Sequence, residues 1–293
     1  MSRIPTYVRN DNFISSALSL KAKSRHHKQE NTETEKISGG SREHYFHFLL
    51  GYLLPLVHEQ ETRQFEFFRT LDCGPLMTPI LDKTLSLLGY DFEIVEKPSI
   101  GAPVFLKNWD YEWEDRCAAE KTIQKIKKAW SKESCCHEDE HAEQLILVRS
   151  QPANYYITGD AEIKGYGTSR REIVNWREVL DYLKANGVLV SAYEPGSHSL
   201  GCQIRTFARA KKIVGMRGAE WANVVWCEKL DALVFDPHPP ANTLISLLRR
   251  KNVSYQFHYT GQAKCAVDPK LVYGYLSMQS SQVQAAGAVH DKI

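Results

Sequence analysis

Apolar and amphipathic stretches alternate along most of the chain, and this alternation predicts the elements of an α/β protein. Predicted helices repeat their apolar positions every three or four residues, whereas predicted strands are shorter and rich in β-branched and aromatic residues. In the first half the predicted elements are, in order, a helix in HYFHFLLGYLLPLVHE, a strand in FEFFRTL, a helix in TPILDKTLSLLG and a strand in DFEIVE. A polar block, KKAWSKESCCHEDEHAEQ, ends this half.

The second half begins at LILVRS, a short apolar run typical of a buried strand. After it, four helices in NWREVLDYLKANG, LGCQIRTFARA, AEWANVVWCEK and ANTLISLLRRKN alternate with three strands in VLVSAYEP, KKIVGM and DALVFDP. Strands that single helices separate pair in parallel, because each helix returns the chain to the same end of the sheet. We therefore predict a Rossmann-like sheet with helices on both faces, and a looser version of this design in the first half.

This organisation predicts two domains and a tail. The N-terminal domain covers residues 1–144 and includes a polar stretch at about residues 22–42 that we expect to be a mobile loop. The C-terminal, Rossmann-like domain covers residues 145–270. Residues 271–293, which end in SSQVQAAGAVHDKI, form a tail that we expect to be partly disordered.

Composition and charge exclude several classes of protein. The 293 residues carry 37 basic and 35 acidic side chains, a net charge of +2, so we expect no nucleic-acid partner. The longest apolar stretch, YFHFLLGYLLPLV, is shorter than the about 20 residues of a transmembrane helix. Seven scattered cysteines argue against a disulfide framework and for a reducing compartment. We therefore expect a cytoplasmic protein without a transmembrane segment.

The sequence GMRGA lies where the predicted strand KKIVGM leads into a helix, at a strand end where parallel sheets bind their ligands. Gly215 and Gly218 would let the backbone approach a ligand, and a helix beginning at Ala219 would offer free N–H groups to an anion. Arg217 adds a guanidinium suited to phosphate oxygens. The turn thus predicts a diphosphate site. The alternative is an ordinary strand-to-helix turn whose glycines only permit tight packing.

Further arginines lie where Rossmann-like strand order would bring them to the same edge as Arg217. Arg149 ends the strand LILVR, and Arg170 and Arg171 come just before a helix. Together these side chains predict a polyanionic ligand, such as the diphosphate of a sugar nucleotide. Glu220 could accept the ribose hydroxyls of that nucleotide, or it could be a favourable acid in the first turn of a helix.

Two other stretches raise ligand hypotheses. In NWDYEWEDR, aromatic Trp109, Tyr111 and Trp113 alternate with acids such as Asp110. This composition suits an acceptor sugar or, equally, an amphipathic segment over a small core. In CCHEDEH the spacing of cysteines and histidines matches no paired-ligand pattern for zinc. We interpret that stretch as a solvated linker and expect no metal site.

The order of several motifs resembles glycosyltransferase family 61, over about residues 42–261. The helix HYFHFLLGYLLPLV is similar to the family's Asn-x-x-His-x-x-x-Asp/Glu motif, with His47 at the histidine position. LILVRSQ and RREIVNWREV resemble the family's arginine pair and its Arg-x-Ile-x-Asn block, and LGCQIRTFARAKKIVGMRGAEWANVVWC resembles its glutamine helix and Gly-x-His-Gly-Ala turn. The other residues at family positions are Arg149, Arg171, Asn175, Gln203, Gly215, Gly218, Ala219 and Asn223.

Three positions depart from the family pattern. Arg217 replaces the histidine of the turn and keeps a donor for anions. His44 replaces the asparagine of the helix motif, and Gly51 replaces its acid, so the acceptor side differs from that of the family. We expect His44 and the aromatic stretch at residues 109–113 to contact the acceptor.

The resemblance implies a GT-B-like architecture, in which two Rossmann-like domains face each other across a cleft. It implies inverting transfer from a UDP-sugar donor to a hydroxyl of a glycan or glycoprotein, with no cofactor and no required metal. Xylose is the sugar favoured by family precedent, with arabinose and N-acetylglucosamine as alternatives. Animal and plant members are anchored in the secretory pathway, so a chain without an anchor resembles a bacterial or viral cytosolic member.

In this interpretation the arginines and a helix start stabilise the leaving diphosphate, while a base takes the proton of the acceptor hydroxyl. His47 is the predicted base because an imidazole titrates near neutral pH. The alternative for His47 is a histidine satisfied within a helix interface. Asp72, after the strand FEFFRTL, is either a reserve base or a turn former. The predicted donor-binding residues are Arg149, Arg171, Asn175, Gly215, Arg217, Gly218, Ala219, Glu220 and Asn223.

Two other functions fit parts of the sequence. A Rossmann oxidoreductase would need Gly-x-Gly-x-x-Gly after its first strand and an acid about 20 residues later, and neither is visible in the second half. A non-catalytic module for sugar nucleotides or glycans would bind UDP-sugars without releasing UDP.

Overall fold

The computed structural model describes residues 32–33, 42–96, 103–104, 116–133, 143–149, 171–238, 242–251 and 253–278. Most of the predicted loop at residues 22–42 lies outside these ranges, as do residues 279–293 of the predicted tail. The predicted site residues outside them are Arg170, Trp109, Asp110, Tyr111 and Trp113. Within the described ranges, no helix is both long enough and apolar enough to cross a membrane.

The first half contains a four-stranded sheet in which every pairing is parallel. Its strands are β1 (Thr32–Glu33), β2 (Phe68–Leu71), β3 (Phe92–Val95) and β4 (Pro103–Val104), in the order β3-β2-β1-β4. Phe68 pairs with Phe92 in the β2–β3 ladder, and their rings stack with centroids 6.1 Å apart. The strands predicted in FEFFRTL and DFEIVE are thus confirmed.

The helical segments of this half include an unusually wide turn. They are α1 (Tyr45–His47), a π-helical segment (Phe48–Leu53), α2 (Leu54–Arg63), α3 (Gly74–Leu87) and α4 (Arg116–Trp130). All six residues of the π-helical segment are buried, as expected of a helix that is apolar on every side. The hydroxyl of Tyr52 accepts a hydrogen bond from the Leu71 backbone N–H at 2.8 Å and lies 2.7 Å from Thr70 Oγ1. These contacts fasten the segment to the end of β2.

The second half contains a five-stranded sheet that is also parallel throughout. Its strands are β5 (Gln144–Leu147), β7 (Ser191–Tyr193), β8 (Lys212–Met216), β9 (Asp231–Asp236) and β10 (Ser254–Tyr259), in the order β10-β9-β8-β5-β7. The first strand, β5, lies between β7 and β8, so the chain builds one side of the sheet and then returns to build the other. This is a doubly wound order, and it confirms the predicted Rossmann-like design.

Helices and a small two-stranded sheet complete this half. The helices are α5 (Trp176–Ala185), a 3₁₀ turn (Pro195–Ser197), α6 (Leu200–Arg209), a 3₁₀ helix (Ala219–Trp226), α7 (Asn242–Arg250) and α8 (Pro269–Ser277). The strands β6 (Glu172–Ile173) and β11 (Lys264–Cys265) pair in parallel. The helix predicted in AEWANVVWCEK is a 3₁₀ helix. Tertiary hydrogen bonds hold its Asn223, which donates to Gln203 Oε1 and accepts from the hydroxyl of Tyr45, and such contacts can override the intrinsic preference for an α-helix.

Helix α8 extends the ordered chain into the region predicted as a tail. Asp268 caps its first turn, because its carboxylate accepts a hydrogen bond from the Lys270 N–H at 2.9 Å. Val272, Tyr275 and Leu276 are buried, at the helical spacing that makes one apolar face. The expectation of disorder is therefore limited to the residues beyond Met278, which lie outside the described ranges.

Two clusters of buried apolar residues form the core of the described part of the chain. The smaller cluster combines strand residues such as Phe235 with Leu183 of α5 and Val272 of α8. The larger contains residues of both predicted domains, including Ile126 of α4 and Trp226 of the 3₁₀ helix, both fully buried. Among the described residues, this shared cluster joins the two halves across the predicted boundary at residues 144 and 145.

Among the described cysteines, Cys202 of α6 is disulfide-bonded, whereas Cys73, Cys227 and Cys265 are free thiols. The sequence argued against a framework of several disulfides, and one disulfide-bonded cysteine does not make such a framework. Which cysteine forms a disulfide depends on the distance between two residues in the fold, and their spacing along the chain does not reveal it.

Candidate active site

The candidate residues lie where the strand order of the second sheet reverses. Because β5 pairs with both β7 and β8, the chain leaves β5 and β8 toward opposite sides of the sheet, and in sheets of this order the ligand-binding crevice lies beyond the carboxyl ends of these strands. Arg149 is the second residue after β5, and the turn from Arg217 to Ala219 follows β8 directly. The topology thus brings the predicted arginine and the predicted glycine turn to one crevice.

Arg149 and Glu220 form a bidentate ion pair at this crevice. Arg149 Nε donates to Glu220 Oε1 at 2.7 Å, and Nη2 donates to Oε2 at 2.9 Å. The side chains are only 13% and 11% exposed, so solvent screens the pair weakly. The parallel arrangement of the two hydrogen bonds fixes the plane of the guanidinium as well as its position. Glu220, which the sequence places as a ribose acceptor or a first-turn acid, therefore holds an arginine in this structure.

The two glycines of the turn make room for protein atoms. A Cβ at Gly218 would lie 1.6 Å from Arg149 Nη2 and 2.5 Å from Arg149 Cζ, so only glycine lets the guanidinium lie against the backbone. A Cβ at Gly215 would lie 2.9 Å from Cβ of Leu147 on the neighbouring strand. Tight packing thus accounts for both glycines, and Gly218 in addition sets the place of a charged group.

Arg171 and Arg217 complete a connected group of three arginines. Arg149 Nη1 donates to the Arg171 carbonyl at 3.2 Å, and Arg171 Nη1 donates to the Arg217 carbonyl at 2.9 Å. Arg217 Nε lies 2.7 Å from Asp236 Oδ2, although the two atoms are not aligned for a hydrogen bond. Three guanidinium groups and the two carboxylates of Glu220 and Asp236 leave one net positive charge. This balance favours an anion at the crevice.

Asp236 is a residue of this group that the sequence analysis missed. It ends β9, next to β8, and its side chain is 1% exposed. Its Oδ1 accepts a hydrogen bond from the His238 N–H at 3.1 Å. The carboxyl ends of parallel strands lie at one edge of a sheet, and this rule predicted the positions of the arginines. It applies equally to Asp236, which is a polar residue at the carboxyl end of a neighbouring strand.

Asn223 lies in the 3₁₀ helix and is fully buried in a polar network. Its amide contacts Gln203 of α6 and Trp226, and it accepts a hydrogen bond from the hydroxyl of Tyr45 in α1 at 2.6 Å. Tyr45 is a second residue that the sequence analysis missed, since a tyrosine in an apolar helix is ordinarily a core residue. Burial raises the pKa of Tyr45 far above its ordinary value, so its phenol remains a donor.

His44 and His47 lie at the two ends of α1. His44 occupies the cap position, is 5% exposed, and its carbonyl accepts a hydrogen bond from the Phe48 N–H at 2.7 Å. His47 is partly exposed, and its ring meets that of Phe46 edge-on with centroids 5.6 Å apart. Because Tyr45 bonds to Asn223, the helix that carries both histidines is attached to the 3₁₀ helix that follows the glycine turn. Their roles as acceptor ligand and base stay predictions.

Asp72 and Asn175 contact backbone groups near helix starts. Asp72 Oδ1 accepts a hydrogen bond from the Gly74 N–H at 2.6 Å, which is the geometry of a turn former. The amide of Asn175 donates to the Val267 carbonyl at 3.0 Å and accepts from the Val267 N–H at 2.9 Å. This double contact joins the start of α5 to the segment before α8. The proposed roles of both side chains in catalysis and donor binding stay predictions.

The charged residues of the crevice suit an anionic ligand better than a cation. Within the described ranges, no group of three or more His, Cys, Asp or Glu side chains is arranged to hold a metal ion. The two carboxylates of the crevice, from Glu220 and Asp236, face guanidinium groups instead.

Comparison with known proteins connects this geometry to a family. The family model described as Glycosyltransferase 61 matches residues 45–234, which is more than half of the chain. The match begins at Tyr45 and ends within β9, so it includes α1, the arginine group and the glycine turn. A search of curated proteins returned no match.

Proposed function

The chain belongs to glycosyltransferase family 61, and from that premise we propose that it transfers a sugar from a UDP donor to a hydroxyl of a glycan or glycoprotein, with inversion. The observation that carries the proposal is the group of three arginines at the switch point of a doubly wound sheet, in which the guanidinium groups of Arg149 and Arg171 each donate to the backbone carbonyl of the next arginine. Xylose is the proposed donor sugar, with arabinose and N-acetylglucosamine as alternatives. The proposal needs no cofactor and no metal ion.

The arginine group can stabilise the diphosphate as negative charge develops on it. In the proposed reaction the acceptor oxygen attacks the anomeric carbon while the bond from that carbon to UDP breaks, and the electron pair goes to the diphosphate. Glu220 and Asp236 hold two of the guanidinium groups in place before the donor binds. Charges fixed in this way need not reorganise during the reaction, which is the main advantage of a preorganised site.

His47 is the proposed base for the proton of the acceptor hydroxyl. An imidazole can accept a proton, and the helix that carries His47 is attached through Tyr45 to the segment that follows the glycine turn. Asp72 remains a reserve candidate, although its carboxylate already accepts a hydrogen bond from the Gly74 backbone.

We propose that the two parallel sheets belong to the two lobes of a GT-B-like arrangement, with the acceptor bound between them. The support is that each half of the chain forms its own parallel sheet. We also propose a cytoplasmic location, which the odd number and scattered places of the seven cysteines support, the disulfide at Cys202 being an exception to this pattern.

The binding part of the proposal is tested at Arg171. Replacing Arg217 would be less informative, because it would leave the buried carboxylate of Asp236 without its counterion and destabilise the fold. Arg171→Met should weaken UDP binding by about 1–3 kcal/mol, the effect of losing a charged hydrogen bond. Titration calorimetry with UDP measures this effect.

Arg177→Met is the matched control, because Arg177 is an exposed arginine that lies over the ring of Trp176 in α5. Its affinity for UDP should stay within about 0.5 kcal/mol of the wild type, as for most surface substitutions. Equal affinities of the two variants would remove the arginine group from the proposed donor site.

A second candidate function, a non-catalytic module for sugar nucleotides, is favoured by Gly51. This residue replaces the acid of the family's helix motif, and it lies buried within the π-helical segment. UDP release from a panel of UDP-sugars, with and without glycan acceptors, separates the two functions. Release at the level of buffer, combined with measurable UDP binding, would support the module and contradict the transferase.

A further inference from the structure

We propose that Tyr45 is a positioning residue: its hydroxyl fixes the helix that carries His47 against the segment that carries Glu220. This inference rests on the proposed function and adds a residue outside the predicted site, at one of the variable positions of the family's helix motif. It is carried by a chain of buried and partly buried hydrogen bonds that leads from α1 to the arginine group.

The first link of the chain joins the two halves of the protein. Tyr45 Oη donates to Asn223 Oδ1 at 2.6 Å. Asn223 Oδ1 also accepts a hydrogen bond from Trp226 Nε1 at 3.0 Å. An amide oxygen has two lone pairs, so both are used. Because Asn223 is fully buried, loss of the phenol would leave its amide oxygen, a buried acceptor, with one hydrogen bond fewer.

The second link fixes the orientation of the Asn223 amide. Asn223 Nδ2 donates to Gln203 Oε1 at 2.9 Å and to the Glu220 carbonyl at 3.2 Å. Gln203 is held in turn, because its Nε2 donates to the His198 carbonyl at 3.0 Å. Flipping the Asn223 amide would bring its NH₂ group against two donors, the phenol of Tyr45 and the indole of Trp226. The acceptor that Tyr45 uses is therefore held in one place.

The third link reaches the charged groups. The backbone carbonyl of Glu220 is bound by Asn223, while the carboxylate of Glu220 holds the guanidinium of Arg149 through two hydrogen bonds. Tyr45 is two residues before His47 on the same short helix. The hydroxyl of Tyr45 thus sets the distance between the proposed base and the proposed diphosphate site.

A reaction of this kind depends strongly on such a distance. A displacement of about 1 Å can reduce the rate of an enzyme on the order of a hundredfold, whereas binding of the donor to its own residues is less sensitive. Removing the hydroxyl should therefore lower kcat much more than it changes the KM for the donor. A hydroxyl that only stabilised the fold would give no such difference.

The test compares Tyr45→Phe with Tyr52→Phe, which is a matched control. Tyr52 is a buried tyrosine of the same helical stretch, but its hydroxyl contacts Thr70 and Leu71 of the first sheet. We expect Tyr45→Phe to lower kcat about tenfold to a hundredfold with the donor KM within about threefold. Tyr52→Phe should keep kcat within about twofold of the wild type. The Tm values of the two variants should fall by similar amounts, because each variant loses a tyrosine hydroxyl that makes hydrogen bonds.

A second variant covers the case in which Tyr45→Phe does not fold. Gln203→Met removes the partner of the Asn223 amide nitrogen, and it should give the same fall in kcat at nearly constant donor KM. A wild-type kcat in a folded Tyr45→Phe or Gln203→Met protein would overturn the positioning role. Absence of transfer by the wild-type protein itself would instead contradict the proposed function, so the two failures are distinguishable.

Discussion

Gly218 and Arg149 share a small volume at the crevice, and this contact decides what residue 218 can be. The guanidinium lies against the backbone of Gly218, at the place where any other residue would have its Cβ. The backbone of Gly218 is extended there, so the constraint comes from space and not from an unusual dihedral angle. A side chain at residue 218 would therefore act mainly through the position of Arg149.

Gly218→Ala should displace Arg149 from Glu220 and reduce both stability and UDP affinity. The expected loss of stability is about 1–3 kcal/mol, the usual cost of overpacking. Urea unfolding followed by circular dichroism measures the loss, and UDP titration measures the affinity.

Gly274→Ala is the control for this substitution. Gly274 is inside α8, and a Cβ built there would meet no atom within 4 Å apart from its chain neighbours and the backbone of its own helix. Alanine there should be neutral or should stabilise the protein by up to about 1 kcal/mol, since it favours the helix. If Gly218→Ala behaved in the same way, the close contact with Arg149 would be disproved.

Residues of the crevice differ in how well the sequence predicts them. Arg149, Arg171 and Arg217 could be predicted, because a cation at the end of a parallel strand or at a helix start reaches a known edge. Asp236 obeys the same rule. Tyr45 could not be found in this way, because its role depends on a partner 178 residues away.

Among the secondary-structure elements, α8 shows how one buried charge can hold a helix. Lys212 begins β8, and its ammonium donates to the carbonyls of Tyr275 and Leu276 at 3.3 and 2.8 Å and to that of Met278. A cation at the C-terminal end of a helix also complements the helix dipole. Burial lowers the pKa of Lys212, and nearby Asp231 opposes that shift.

Lys212→Met should destabilise the protein by about 1.5–3 kcal/mol, because charged hydrogen bonds to the end of α8 are lost. Faster amide hydrogen exchange in α8 should accompany the loss. Lys211→Met is the control, since Lys211 is 64% exposed and pairs with Glu143 at the surface. That variant should stay within about 0.5 kcal/mol of the wild type. Equal protection of α8 in both variants would exclude this role of Lys212.

Several elements differ from the prediction for physical reasons. The wide turn at Phe48–Leu53 has no signature in the sequence, since the residues that form it would suit an α-helix equally. The strand β10 in SYQFHY was not predicted, because its mixed polar and aromatic residues suit an edge position. It is identified only by its parallel ladder with β9.

For the whole molecule, the larger apolar cluster matters most, because it unites the two halves. Ile126 of α4, Trp226 of the 3₁₀ helix and Phe48 of the π-helical segment are all fully buried in it. Opening one half would therefore expose apolar surface of the other. We expect the two halves to unfold together.

Scanning calorimetry of the full chain should show one transition, with the calorimetric and van't Hoff enthalpies equal. Ile126→Ala, in the larger cluster, and Leu183→Ala, in the smaller one, should each lower the free energy of unfolding by about 2–5 kcal/mol, the usual cost of such truncations. Both variants should lower the Tm of the same single transition. Two separate transitions, each sensitive to only one of these variants, would show that the halves fold independently.

The sequence by itself determined the parallel second sheet, the place of the glycine turn and the presence of arginines at strand ends, because these follow from the local spacing of apolar residues and from the direction of parallel strands. Only the tertiary structure decided which carboxylate holds which arginine, that Cys202 forms a disulfide, that α8 packs as a helix, and that Tyr45 reaches Asn223. Each of these depends on the distance between residues far apart in the chain, and a local pattern carries no information about such distances.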